Sequence, residues 1–319
     1  MSAEWLSQVV LPWVLASVMM AMGLNLTGAD FVRTWHHPRR VLLGTGLQML
    51  ALPLLAWGLV LLLPLPPLAA AGLLLVALVP GGATSNMFSY LVQGDLALSV
   101  SLTAIAAVLA PFTLPLVMGW NLERLGLTAP GFSLPYWHTV GQLLLVTLLP
   151  VLAGMLLRRS LPVCWLAWLL PKVKVFTGVA MIAVVAALFI SHAERLPALL
   201  SLETLAVLLL CTLGMTLGRQ LARRLRLPHA SVRAITVEVG VQNAGVAMMV
   251  AFVILQQPAI GLVPLLYGLL MNVPVFLWLF ACLWRDRQFA TAVAHRPVLS
   301  PGPAGPGEGR VHGGDEERS

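Results

Sequence analysis

Charge is scarce in this chain. Asp, Glu, Lys and Arg make up 10% of its 319 residues, apolar types reach 59%, and the mean hydropathy is +0.91. No soluble domain hides that much apolar side chain in one core, so a water-soluble globule is excluded and a membrane-integral protein is indicated. Cysteine is scarce too. Cys164, Cys211 and Cys282 stand far apart in or beside apolar runs, which excludes a disulfide framework and a cysteine metal site and leaves small hydrophobes. Enzymatic signatures are missing: there is no Gly-x-Ser-x-Gly, no zinc spacing and no glycine-rich phosphate loop opening a helix after a strand. An enzyme and a catalytic residue are therefore not expected. Met1-Ser2-Ala3-Glu4 has no positive n-region and the apolar run behind it is long enough to span, so a first membrane helix is expected rather than a cleaved signal peptide.

What is present is a series of apolar segments of about 20 residues or more. The pattern predicts nine spans, at 5–28, 39–63, 67–93, 95–120, 136–158, 163–190, 197–222, 229–255 and 259–284. The net charge of +7 is dispersed between those runs, which serves topology rather than nucleic-acid binding. With the N-terminus outside, fourteen of the nineteen Lys and Arg fall on the inside, in the loops or in the inward halves of the spans, from Arg33, Arg39 and Arg40 to Arg285 and Arg287. Only Arg124 and Arg195 fall outside, and Arg296, Arg310 and Arg318 are in the tail. The expected topology is N-terminus outside, C-terminus cytoplasmic, in an inner or plasma membrane. Asn25-Leu26-Thr27 spells a glycosylation sequon, but this topology places it inside, and it is discarded. Residues 293–319 are rich in Pro, Gly and charge, with nothing to bury, and are expected to form a disordered cytoplasmic tail.

Two of the spans carry polar interruptions. The eighth contains Val237-Glu238-Val239-Gly240-Val241-Gln242-Asn243, and the third contains Pro80-Gly81-Gly82-Ala83-Thr84-Ser85-Asn86. A carboxylate at membrane depth is costly unless paired or ligating, so Glu238 marks a functional site. On a helix Glu238 and Gln242, four apart, share one face, and Gly240 between them lets the backbone open. Glu203, the other acidic candidate, lies near the outer end of the seventh span, within reach of water. Pro80 removes a backbone donor, so the freed groups need partners, and Ser85 and Asn86 follow at once. Ser99 and Thr103, at i and i+4, share a helix face, although such hydroxyls also serve as helix glue. Gln48 in the second span is open to the same two readings. A lone carboxylate among amide and hydroxyl oxygens suits a hard monovalent cation; protonation of Glu238 itself is the rival chemistry. Paired broken segments in the two halves are the sequence pointer to a secondary transporter's binding site.

Those motifs give the chain its resemblance. Pro80-Gly81-Gly82 with Ser85-Asn86, then Gly94-Asp95-Leu96-Ala97-Leu98-Ser99-Val100 and Ile235-Thr236-Val237-Glu238-Val239-Gly240-Val241-Gln242-Asn243, resemble the bile acid:sodium symporter family over roughly residues 8–285. The resemblance implies an all-α integral membrane fold of two inverted repeats, here four helices plus five, forming a panel domain and a core domain with two crossing broken helices. The repeats would occupy 1–121 and 136–285, joined by an outside loop at 122–135. It implies two sodium sites, one from Ser85, Asn86, Ser99, Thr103 and Glu238, the other from Gln48, Glu238, Gln242 and the carbonyls of Val239 and Val241. It places Thr84, Asn243 and Asn272 near the substrate. Gly82-Ala83-Thr84 stands where relatives carry Gly-Thr-Ala or Gly-Thr-Ser, and Met271-Asn272 where some carry His-Asn.

The expected function is sodium-coupled symport of an organic anion, bile-acid-like or a small carboxylate such as pantoate, by alternating access. Its partners would be the anion, sodium and the lipid bilayer, with no nucleic acid and with a monomer as the default. The alternatives are a proton-coupled or sodium-independent carrier on the same fold, and a membrane sensor acting through the tail. Deleting residues 293–319 should leave transport rates unchanged in a vesicle uptake assay; loss of uptake would favour the sensor.

Overall fold

The computed structural model describes residues 5–28, 37–127, 134–191 and 202–294. Among the described residues every regular element is helical. In chain order they are α1 (Leu6–Asn25), α2 (Pro38–Leu62), α3 (Pro67–Leu78), α4 (Ala83–Leu91), α5 (Leu96–Arg124) and α6 (Tyr136–Ser160). There follow α7 (Val163–Ser191), α8 (Leu202–Arg224), α9 (His229–Gly240), α10 (Ala244–Met249, prolonged by a π-turn over Val250–Ile254), α11 (Pro258–Leu270) and α12 (Asn272–Ala294). Among the described residues eight stretches are long and apolar enough to cross a membrane singly, and α3 with α4 supplies a ninth if the pair, bent by 63°, counts as one span. That matches the nine expected segments, with α5 running on to Arg124 and the ninth split at Met271. The described residues through Phe280 form one compact unit, and the end of α12 from Ala281 belongs to a second. The tail from residue 295, the loop positions Arg33 and Arg195, and the start of the seventh expected span at 197–201 lie outside the described residues.

Proline within a helix lacks the N–H for its turn and presses on the carbonyl four residues back. The chain meets this with π-turns that widen the helix just ahead of three prolines. Leu11 N–H bonds to Leu6 O before Pro12, Leu52 N–H to Leu47 O before Pro53, and Leu149 N–H to Leu144 O before Pro150. The second of these π-turns, Leu47–Ala51, carries Gln48.

The third span breaks for a different reason. Pro80 drives the residue before it out of the α region, and Val79 is extended at φ −80°, ψ 152°. Gly82 is extended as well, and helix resumes at Ala83, where Ser85 Oγ donates to Gly82 O at 2.7 Å. All of α3 from Ala69 to Leu78 is buried, which sets the break in the interior.

Small residues let backbones meet. A Cβ on Gly154 of α6 would fall against the Met20 carbonyl, with Leu24 N at 2.9 Å and Gly23 C at 3.0 Å; one on Gly23 of α1 would fall against Val151 backbone. Arg158 at the end of α6 donates to Leu24 O at 2.7 Å, closing the same crossing. Gly154→Ala should therefore force the two helices apart and destabilise by about 1–3 kcal/mol, the usual cost of overpacking. A lowered melting temperature in detergent checks this, with Gly141→Ala on the same helix, where an added Cβ meets nothing within 4 Å, as the neutral comparison.

Candidate cation and substrate site

The two broken spans meet at their breaks. Asn243 N–H donates to Pro80 O at 2.9 Å, and a Cβ on Gly82 would come within 3.1 Å of Asn243 Nδ2. The eighth span stays straight enough to count as one segment, yet helix lapses from Val241 to Asn243. Asn243 then caps α10, its side chain accepting from Val246 N at 3.2 Å. Gln242 thus does not continue the helix of Glu238, as the i, i+4 spacing predicted. It lies in the break, and its amide folds back to donate to Val239 O at 2.9 Å and Glu238 O at 3.3 Å. Gly240, which ends α9, has already released the backbone by that point.

Glu238 is fully buried, with its carboxylate against the crossing. Ser99 Oγ lies 2.8 Å from Oε2, and Thr103 Oγ1 is hydrogen-bonded to Oε1. Asn86 Oδ1 reaches the same hydroxyls, 2.9 Å from Ser99 and 3.4 Å from Thr103. Gly81 faces the carboxylate: a Cβ there would stand 2.5 Å from Glu238 Oε1, 3.1 Å from Ser85 Oγ and 3.2 Å from Gln48 Nε2. Gln48 Nε2 lies 3.4 Å from Gln242 Oε1 and 3.5 Å from Glu238 O, while Gln48 Oε1 is buried with no partner.

Hydroxyl hydrogens are fewer here than the acceptors they face. Ser99 has one hydroxyl hydrogen for two acceptors, Asn86 Oδ1 and Glu238 Oε2, and Ser85 directs its own to Gly82 O. Among the described residues no Lys, Arg or His forms an ion pair with Glu238. Nor do three His, Cys, Asp or Glu cluster as transition-metal ligands. The donor set is carboxylate, amide, hydroxyl and carbonyl oxygen, which fits a hard cation.

Ser85, Asn86, Ser99, Thr103, Glu238, Gln48, Gln242 and Val239 are thus brought into one connected region, and Val241 is buried in the adjoining break. Thr84 is half-buried on the first turn of α4 and Asn243 half-buried at the start of α10. Asn272 is half-buried at the start of α12, and its Nδ2 donates to Gly268 O and Leu269 O at 3.0 Å, so its donors close the end of α11.

Several participants escape a reading of the sequence. Ser89 Oγ donates to Ser99 Oγ at 3.0 Å from one turn beyond Asn86; the signal was its spacing on α4. Tyr267 and Cys211 both reach Gly240 O, at 2.7 and 3.1 Å. Asp95 organises the approach of α5: its backbone N–H donates to Ala230 O at 2.9 Å, and its side chain caps Leu98 N at 3.2 Å. The same carboxylate accepts from Ser231 at 3.2 Å and faces Arg40 at 3.7 Å. The starts of α5 and α9 are joined there, one turn before Ser99 and two before Glu238.

Nine apolar segments with a buried carboxylate held between two broken spans define an integral membrane transporter of the all-α class. The profile of the Sodium Bile acid symporter family matches residues 12–198, and the chain belongs to that family. It is 32% identical over 249 residues to the uncharacterized sodium-dependent transporter YocS of Bacillus subtilis, covering 77% of this chain and 74% of that one. It is 34% identical over 242 residues to the chloroplastic "probable sodium/metabolite cotransporter" of Arabidopsis thaliana, covering 74% of this chain and 57% of that one. It is 28% identical over 267 residues to the ileal sodium/bile acid cotransporter of Cricetulus griseus, covering 82% and 74%. This is a family of sodium-dependent transporters, not of enzymes.

Gly81→Ala should test the space beside Glu238. Its methyl group would occupy the approach to the carboxylate, so any sodium-induced rise in melting temperature should vanish. Gly46→Ala, also near Gln48 but with nothing within 4 Å of the added Cβ, should keep it.

Proposed function

We propose that this chain is a sodium-coupled symporter of an organic anion, working by alternating access. The surplus of buried acceptors around Glu238 carries the reading: a fully buried carboxylate, an unpartnered Gln48 Oε1 and too few hydroxyl hydrogens are what a desolvated cation would satisfy. One sodium would sit among Ser85, Asn86, Ser99, Thr103 and Glu238. A second would use Gln48, Glu238, Gln242 and the carbonyls of Val239 and Val241. For each ion to bind, hydroxyls that now donate to the carboxylate would turn their lone pairs inward, and the Gln242 amide would release Val239 O. The bound charge would then lock the breaks together, because its ligands come from α2, α4, α5 and α9.

The anion would lie by Thr84 and Asn243, where the helices resume beyond the breaks and offer backbone N–H groups and positive dipole ends to a carboxylate, with Asn272 beside it. The names of the relatives, a sodium/metabolite and a sodium/bile acid cotransporter, support a metabolite or a bile acid as the substrate class, and our reading is an organic anion, bile-acid-like or a small carboxylate such as pantoate. Two inverted repeats, 1–121 and 136–285, would rock as panel against core, with the N-terminus outside and the C-terminus in the cytoplasm.

The test is the melting temperature of the purified protein against sodium concentration, with choline holding ionic strength constant. A ligand bound only by the folded state adds about 2.7 kcal/mol at roughly 100-fold excess over Kd. The wild type should be stabilised and Glu238→Gln should not respond. Equal indifference of both proteins, with vesicle uptake persisting in choline, would move the assignment to proton coupling.

A further inference from the structure

We propose that Tyr267 and Cys211 form a positioning clamp that sets the direction of the carbonyls in the break after Glu238. This rests on the sodium-coupled reading and extends it to residues behind the site.

A helix that stops leaves its last four carbonyls without intrahelical donors. In α9 each finds a partner. Val237 O accepts from Val241 N at 2.8 Å. Glu238 O and Val239 O accept from the Gln242 amide, and Gln48 Nε2 also reaches Glu238 O. Those donors belong to the candidate site. Gly240 O alone is held from elsewhere, by Tyr267 Oη of α11 at 2.7 Å and Cys211 Sγ of α8 at 3.1 Å. Both side chains have no solvent exposure, and Tyr267 is the largest fully buried side chain in the described core. The thiol also lies 3.8 Å from Met271 O, at the junction of α11 and α12. Gly240 is pressed so closely on α8 that a Cβ there would strike the Met215 side chain and lie 3.3 Å from Cys211 O.

The direction of one carbonyl matters for its neighbour. Val241 is extended, at φ −113° and ψ 104°, and extended backbone turns successive groups to opposite sides. Tethering the Gly240 carbonyl toward α8 and α11 therefore turns the Val241 carbonyl the other way. Without the phenol, the Gly240–Val241 peptide keeps only the thiol and the Val241 N–H bond to Val237 O, and the carbonyl ligands are held less firmly before any ion arrives. Neither Tyr267 nor Cys211 touches the ion; both act through the backbone.

The experiment compares the sodium midpoint of the melting-temperature rise with the melting temperature in choline alone. The variants are Tyr267→Phe, Cys211→Ser and Trp57→Phe, which removes a 2.9 Å bond to Asn121 outside the site. Tyr267→Phe should raise the midpoint about fivefold to tenfold, the worth of one neutral hydrogen bond. Cys211→Ser, which keeps a donor, should stay at the wild-type midpoint. Trp57→Phe should lower the melting temperature in choline without moving the midpoint. An unmoved midpoint in Tyr267→Phe, or equal midpoint shifts in Tyr267→Phe and Trp57→Phe, overturns the clamp while leaving sodium coupling intact. A wild type indifferent to sodium overturns both.

Discussion

A carboxylate buried in the interior of a membrane protein, with no basic side chain paired to it among the described residues, is the constraint on which the rest of the structure turns. The low dielectric penalises its charge by several kcal/mol even after relaxation, and Glu238 is fully enclosed. The surrounding elements answer that penalty in part. Hydroxyls of Ser99 and Thr103 face the two oxygens, and Gly81 leaves room where any other residue would intrude. The compensation is incomplete, and the proposed cation site depends on that: a fully neutralised carboxylate would have no affinity left to offer.

The two breaks solve different backbone problems. In the third span Val79-Pro80 cannot continue the helix, and the chain bends by 63°. In the eighth no proline intervenes; the two parts still count as one span, and three residues leave helical geometry where side chains supply the missing bonds. Direct backbone pairing of Asn243 with Pro80 makes one unit of two sequence-distant interruptions. Upstream, Asp95 joins the starts of α5 and α9, so the hydroxyls and the carboxylate are set from a common base.

Much of this was legible in the chain. Apolar runs are long-range features that survive any local error, and the nine segments follow from them. Glu238, Ser85 and Asn86 stand out because polar groups are rare in such runs, whereas Ser99 and Thr103 read equally as helix glue and are singled out only by the resemblance. What was not legible is what looks ordinary. Tyr267 sits in Leu265-Leu266-Tyr267-Gly268-Leu269 and reads as a membrane aromatic; only the fold shows its hydroxyl on Gly240 O. Cys211 reads as a small hydrophobe for the same reason. Gln242 was placed on the face of Glu238 by a periodicity that ends at Gly240, and the amide returns to the carbonyls by side-chain reach instead. The π-turn that carries Gln48 depends on a proline five residues later, a relation that helical periodicity does not encode.

The crossing of α1 and α6 has a mechanical meaning. Where two helices touch through Gly23 and Gly154, no flexible side chains lie between them to act as a bearing. Interdigitated leucines can repack as one rod slides along another, but main chain against main chain offers a single seating. The first and fifth spans are thereby welded into one strut, and any relative displacement elsewhere in the molecule must find its slip plane at a different pair of helices.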